Sequence, residues 1–241
     1  MHRFANPAKF NRLADRILPW AIILGLVAFG SGSYYALFDS PADYQQGESV
    51  RMMYVHVPAA WASMSIYAFI AVASFVGLVW RHPLALLAGK AAAPVGATIT
   101  ALALITGALW GKPMWGTYWQ WDGRMTSVLI LFFLYLGYMA LWEAMEDDEK
   151  AGRAASILAL VGVVNLPIIK FSVEWWNTLH QSASILRADG PSMPPEMLKP
   201  LFIMGIAYQL YFMVLVLWRM KLEINKRKIN VMRQIAITSG Q

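Results

Sequence analysis

"VPAAWASMSIYAFIAVASFVGLVW", from Val57 to Trp80, is 24 residues without one charge. A helix needs about 20 mostly apolar residues to cross the hydrocarbon of a bilayer, so this run reads as a membrane span rather than a core helix. The same reading repeats on both sides of it. Ile17–Phe38, Ala91–Trp110, Met125–Trp142, Ala154–Ile169 and Pro200–Trp218 are also free of charge. The run from Ala154 is 16 residues long and contains Asn165 and Pro167, so it reaches a full span only by borrowing Lys170–Val173, with Lys170 snorkelling. Spans are therefore predicted over about 17–38, 57–80, 91–110, 125–142, 154–172 and 200–218. Composition agrees: 58% hydrophobic, 14% charged and mean hydropathy +0.47 are outside the range of an ordinary soluble domain. The predicted fold class is all-α, a polytopic integral membrane protein with six transmembrane helices in one membrane domain over 1–241.

The first run follows Arg3, Lys9, Arg12 and Arg16, as the apolar region of a signal peptide would. Its 22 residues exceed such a region, and an uncleaved anchor is the better reading. Six spans put both termini on one side. That side, comprising the N-terminus, 81–90, 143–153 and the tail after Trp218, holds 14 of the 20 Lys and Arg residues. The acidic residues divide evenly, seven and seven, so the bias is in basic residues, as the positive-inside rule requires. Both termini are predicted to be cytoplasmic. The tail "RMKLEINKRKINVMR" then anchors on anionic lipid, and the pI of 9.5 calls for no nucleic-acid partner. "EAMEDDEK" reads as a solvated cytoplasmic turn. The absence of cysteine removes disulfides, thiolate metal sites and any thiol relay from consideration.

On this topology 110–126 is a periplasmic loop, and its sequence is unusual: "WGKPMWGTYWQWDGRMT" carries four tryptophans in twelve residues. Gly111, Pro113 and Gly116 argue against a regular helix at its start. Trp115 and Trp119 share a face if the segment is helical, Trp119 and Trp121 if it is extended. An aromatic belt explains Trp20, Trp61, Trp80, Trp142 and Trp218, at one or two rings per helix end. Four rings in one connection suit a platform for a planar apolar ligand.

The four histidines sort by position. His2 in the leading tail and His82 in a cytoplasmic turn read as inert. His56, in "RMMYVHVPAAW" with Pro58 suited to the first turn of helix two, and His180, in "VEWWNTLHQSASIL", lie in the outer loops flanking the tryptophans. Trp176 and His180 are spaced to share a helical face, so 173–197 is read as a periplasmic loop with an amphipathic helix on the outer surface. Two imidazoles, several indoles and a place at the membrane edge fit heme, whose iron takes axial imidazoles and whose plane is apolar. Arg51 and Arg124 are on the correct side to meet its propionates. Asp122 suits a helix cap, or orients Arg124 or a ring nitrogen.

These segments resemble the cytochrome c maturation protein C family (heme exporter protein C, CcmC), within the heme-handling proteins that share a tryptophan-rich "WWD" loop. The likeness spans most of the chain and rests on "MYVHVPAAW", "WGKPMWGTYWQWDGRMTS" and "VEWWNTLHQ". It implies that His56 and His180 are axial ligands and that Trp110, Trp115, Trp119, Trp121 and Asp122 form the heme platform, with Trp176 and Trp61 packing nearby. Tyr118 and Gly123 stand where relatives often carry Trp and Ala. It also implies heme b as transient cargo, a periplasmic heme chaperone that captures it, and a complex with ABC-transporter subunits and a small single-span subunit. The chain itself contains no GxxxxGK[ST] motif and is expected to be no enzyme. Two rivals remain at this level. A membrane b-type cytochrome would bury paired histidines within spans, and no predicted span has one in its interior. A permease subunit moving heme or another substrate would favour polar residues in the spans, where Asn165, Gln209 and hydroxyls are the offerings.

Overall fold

The computed structural model describes residues 6–181, 184–185, 187 and 189–238. Among them every regular element is helical. Six helical stretches are long and apolar enough to cross a membrane: Pro7–Asp39, Glu48–Trp80, Pro83–Trp115, Gly123–Ala144, Asp148–Trp175 and Pro195–Thr238.

Each helix begins and ends for a local reason. Helix α1 (Pro7–Tyr34) starts with the Asn6 side chain accepting from Ala8 and Lys9 N–H at 2.9 and 3.3 Å, and Pro7 supplies the first helical residue. A wide turn over Tyr35–Asp39 closes it. A 3₁₀ turn, Glu48–Met52, leads into α2 (Met53–Trp80), whose start is pinned by a hydrogen bond between the Tyr54 and Ser40 hydroxyls. His82 caps α3 (Pro83–Trp115), its Nδ1 accepting from Ala85 N–H at 3.2 Å. Asp122 caps α4 (Gly123–Ala144) and Asp147 caps α5 (Asp148–Gly162). The fifth span breaks at Val163–Val164 and resumes as α6 (Asn165–Trp175), with Pro167 in its first turn and the Asn165 amide donating to Ser127 O at 2.9 Å. Helix α7 (Pro195–Thr238) runs 44 residues, so the apolar span and the basic tail form one rod. At 1.5 Å per residue the rod is about 66 Å long, roughly twice the hydrocarbon thickness.

Close packing follows from small residues. Ala59, Ala62, Ala91, Ala92, Ala93, Ala155 and Ala159 are fully or almost fully buried, which lets backbones approach, and Tyr67, Tyr135 and Tyr138 fill the remaining space between α2, α3, α4 and α5. Helix α2 packs chiefly on α3, and α1 on α7. One end of the bundle is laced by ion pairs: Lys221 with Asp15, Lys90 with Glu223 at 3.2 Å, and Arg227 with Asp148 at 3.1 Å. The other end gathers the start of α2, the ends of α3 and α6, and the start of α4.

Three sequence expectations are corrected at that second end. Helix α3 does not stop at Trp110. It continues through Gly111 and Pro113 to Trp115, and ends where Gly116 adopts φ +74° with its N–H on Lys112 O at 3.0 Å. Pro113 is tolerated because the bond it removes belongs to the last turn. The connection is thus shorter than 110–126, and Trp110 and Trp115 stand on a helix. Helix α2 begins at Met53, so His56 is in a first turn and not in a loop. Finally, the amphipathic helix expected within 173–197 does not form around His180. Helix α6 ends at Trp175, and Trp176 is extended at φ −132°, ψ 154°. There the Thr178 hydroxyl accepts from His180 N–H at 3.0 Å, a local bond that competes with helical hydrogen bonding. His2 lies outside the described residues.

Candidate functional site

His56 is held from α3. Its Nδ1 is 3.0 Å from Ala103 O and 3.2 Å from Thr106 Oγ1. The Thr106 hydroxyl proton is already committed to Leu102 O at 2.7 Å. Both neighbours of Nδ1 are therefore acceptors, which puts the ring proton on Nδ1 and leaves a lone pair on Nε2. The ring lies over Gly107, where a Cβ would come within 2.7 Å of His56 Cε1. Trp110 flanks it at 5.7 Å between ring centroids and 66° between planes, while the indole N–H donates to Gln46 Oε1 at 3.1 Å.

His180 arrives from the opposite half of the chain and meets a carboxylate. Its Nδ1 is 3.3 Å from Asp122 Oδ2, which also accepts from Leu179 N–H at 3.3 Å. The other carboxylate oxygen caps α4 through Met125 N–H at 2.7 Å. Asp122 thus performs two of the roles open to it at once, and Arg124 is not its hydrogen-bonded partner. Burial holds the His180 imidazole below its usual range; Asp122 pulls it up, and the Arg124 cation pushes it down again. The net direction is downward, which favours the neutral ring with Nδ1 donating to Asp122, and Nε2 makes no hydrogen bond among the described residues. Trp115 covers it at 4.9 Å and 60°. The end of α3 therefore places one indole against each histidine.

Trp119 and Trp121 pack edge to face at 5.3 Å and 77°. Trp121 is 73% exposed, whereas Trp119 Nε1 is buried and has no hydrogen-bond partner among the described residues. Trp176 leans on Gly123, where a Cβ would stand 3.0 Å from its Cε3. Arg124 spends its guanidinium on α6, with Nε 3.4 Å from Ser172 Oγ and a terminal nitrogen 3.4 and 3.3 Å from Ile169 O and Lys170 O. Arg51 is engaged by Glu48 at 2.5 Å and Ala36 O at 2.6 Å. Trp61 faces α7 instead, tilted against Phe202 at 6.3 Å and beside Gly205. Among the described residues no three His, Asp or Glu side chains converge as they would around a bare metal ion. Two imidazoles with free Nε2 atoms suit an iron that brings its own equatorial nitrogens.

Sequence reasoning did not find Ala103, Thr106, Gly107 or Gln46. The first acts through its backbone carbonyl and the third through having no side chain. Neither role leaves a mark in a run of alanines, glycines and threonines.

The family model described as heme exporter protein C matches residues 1–235. The chain belongs to the heme exporter protein C family. A heme exporter protein C from Bradyrhizobium diazoefficiens is 53% identical over 231 residues, covering 96% of this chain and 88% of that one. The protein of that name from Escherichia coli K12 is 50% identical over 221 residues (92% and 89% covered), and that from Paracoccus denitrificans 44% over 227 (94% of each). Likeness to the heme exporter protein C relatives therefore runs through the segments that carry both histidines.

Proposed function

We propose that this protein binds heme at the periplasmic face of the bacterial inner membrane and hands it to a periplasmic heme chaperone for c-type cytochrome assembly. The observation that carries the proposal is the pair of imidazoles: each has Nδ1 engaged by an acceptor and Nε2 free, and both stand at one end of the bundle beside an indole from α3. His56 and His180 serve as axial ligands to the iron. Trp110, Trp115, Trp119 and Trp121 border the porphyrin plane, and the exposed Trp121 sits where the chaperone approaches. Asp122 keeps the His180 ring oriented and raises its basicity, as carboxylates behind metal-bound imidazoles do.

Heme b is cargo, so the site must release it. Two neutral imidazoles and apolar stacking suit this, since neither forms a covalent bond to the porphyrin. Arg124 lends positive potential close to the propionates even while its hydrogen bonds go to α6. The family name supports heme as the ligand, and ABC-transporter subunits with a small single-span subunit are the partners we propose beside it. The basic-residue bias supports cytoplasmic termini and an outward-facing site.

Purified protein loaded with heme, then mixed with apo chaperone, tests the reading. Low-spin heme that leaves this protein and appears on the chaperone is the expected result. A protein that takes up no heme, or holds it without transfer, would contradict it and favour a permease subunit.

A further inference from the structure

In the half of the bundle away from the histidines, α3 and α7 leave a groove of about 350 Å³ between them. Pro94, Val95, Thr98 and Ile99 form one wall and Tyr211, Leu215, Trp218 and Arg219 the other. It follows α7 from Leu222 to Tyr211, about 16 Å at 1.5 Å per residue, which is the depth of one leaflet. Its character changes along that length. The deep part is apolar, and the shallow end holds Arg219, the first charge after the apolar run of α7. Trp218, 57% exposed, and Tyr211, 53% exposed, flank its opening.

Arg219 is positioned but not neutralised. Its Nε donates to Ala91 O at 3.0 Å, and its terminal nitrogens take part in no hydrogen bond or ion pair among the described residues. The nearest acid one turn on, Glu223, is occupied by Lys90 at 3.2 Å and Lys226 at 3.8 Å. A guanidinium fixed at the polar end of an apolar, leaflet-deep groove matches a diacyl lipid with an anionic head group.

We propose that this groove is a binding site for an anionic phospholipid, with one acyl chain along Val95, Ile99 and Leu215 and the phosphate on Arg219. Trp218 marks the head-group level beside it. The site is distinct from the histidine end and independent of heme.

Native mass spectrometry of the full chain, with phosphatidylglycerol and phosphatidylcholine of matched chains, tests this. Wild type is expected to retain phosphatidylglycerol preferentially. Arg219→Gln should cut that preference about fivefold, the effect of one basic residue at a lipid surface. Lys228→Gln, an exposed cation of the basic tail farther along α7, should lower it clearly less than Arg219→Gln does. Thr98→Trp, which fills the groove, should reduce retention of both lipids. Equal retention of the two lipids by wild type, or an Arg219→Gln protein that behaves like Lys228→Gln, would overturn the site. A photo-crosslinker at Tyr211 in intact membranes gives a second measurement that does not depend on the arginine variant. A lipid-mass adduct supports the proposal, and a polypeptide adduct overturns it in favour of a partner helix.

Discussion

Each candidate ligand depends on a neighbour outside the proposed ligand pair. For His56 that neighbour is Gly107, since a methyl group there would sit 2.7 Å from Cε1. A ring with Nδ1 tied to Ala103 O must tilt or leave that bond to make room. Gly107→Ala is expected to weaken His56 ligation, turning low-spin heme partly high-spin with normal protein levels. Gly205→Ala serves as control, because its Cβ meets Trp61 at an ordinary 3.5 Å. For His180 the neighbour is Asp122. Asn caps a helix about as well as Asp, so Asp122→Asn should preserve α4 while losing the charge behind the imidazole and the oxygen that accepts from His180 Nδ1–H and Leu179 N–H. Heme affinity, measured by titration, should fall about 10–100-fold, the usual cost of losing such a partner. Unchanged affinity would reduce Asp122 to a cap.

At the scale of elements, the tryptophan segment is a helix end and a short loop rather than one long loop. Pro113 and the two glycines argued for a break at Trp110. Sequence alone does not reveal that a proline in a last turn costs little, or that Gly116 is the true stop. The outcome is favourable to a site, because Trp110 and Trp115 are fixed on α3 against the two histidines while Trp119 and Trp121 follow on the loop. Trp115→Ala should therefore cost more heme retention than Trp121→Ala: it removes a ring that packs on His180, whereas Trp121 is mostly exposed. A stacked ring is worth about 0.5–1.5 kcal/mol beyond its buried area, so Trp115→Ala should weaken retention up to roughly tenfold. Equal, mild losses at both positions, tracking protein level, would make the tryptophans membrane anchors. Trp176 and His180 show the opposite limit. Their spacing fits a helix, yet Thr178 and Asp122 capture the backbone and side chain in an extended path. Long-range partners decided that segment, and spacing could not.

For the molecule as a whole, the six apolar stretches were legible because charge-free runs of membrane length have few other readings. The division of labour between its ends was legible too. The basic side is laced by ion pairs, and His56, His180 and the tryptophans of 110–121 collect at the other. The partners that hold His56 stayed hidden, since a carbonyl and an absent side chain have no residue signature. Which end faces outward has its own test: a periplasm-active reporter should work when fused after Gly190 and fail after Gln241, and the reverse would move the site to the cytoplasm. The central claim is that His56 and His180, from opposite halves of the chain, ligate one iron. The most direct measurement is the absorption and electron paramagnetic resonance spectrum of heme-loaded protein, compared among wild type, His56→Ala, His180→Ala, the double variant and His82→Ala. A low-spin bis-imidazole signal is expected in wild type and His82→Ala, partly high-spin heme in each single variant, and loss of tight axial ligation in the double. A low-spin signal that survives the double variant, or that His82→Ala removes, would contradict that claim.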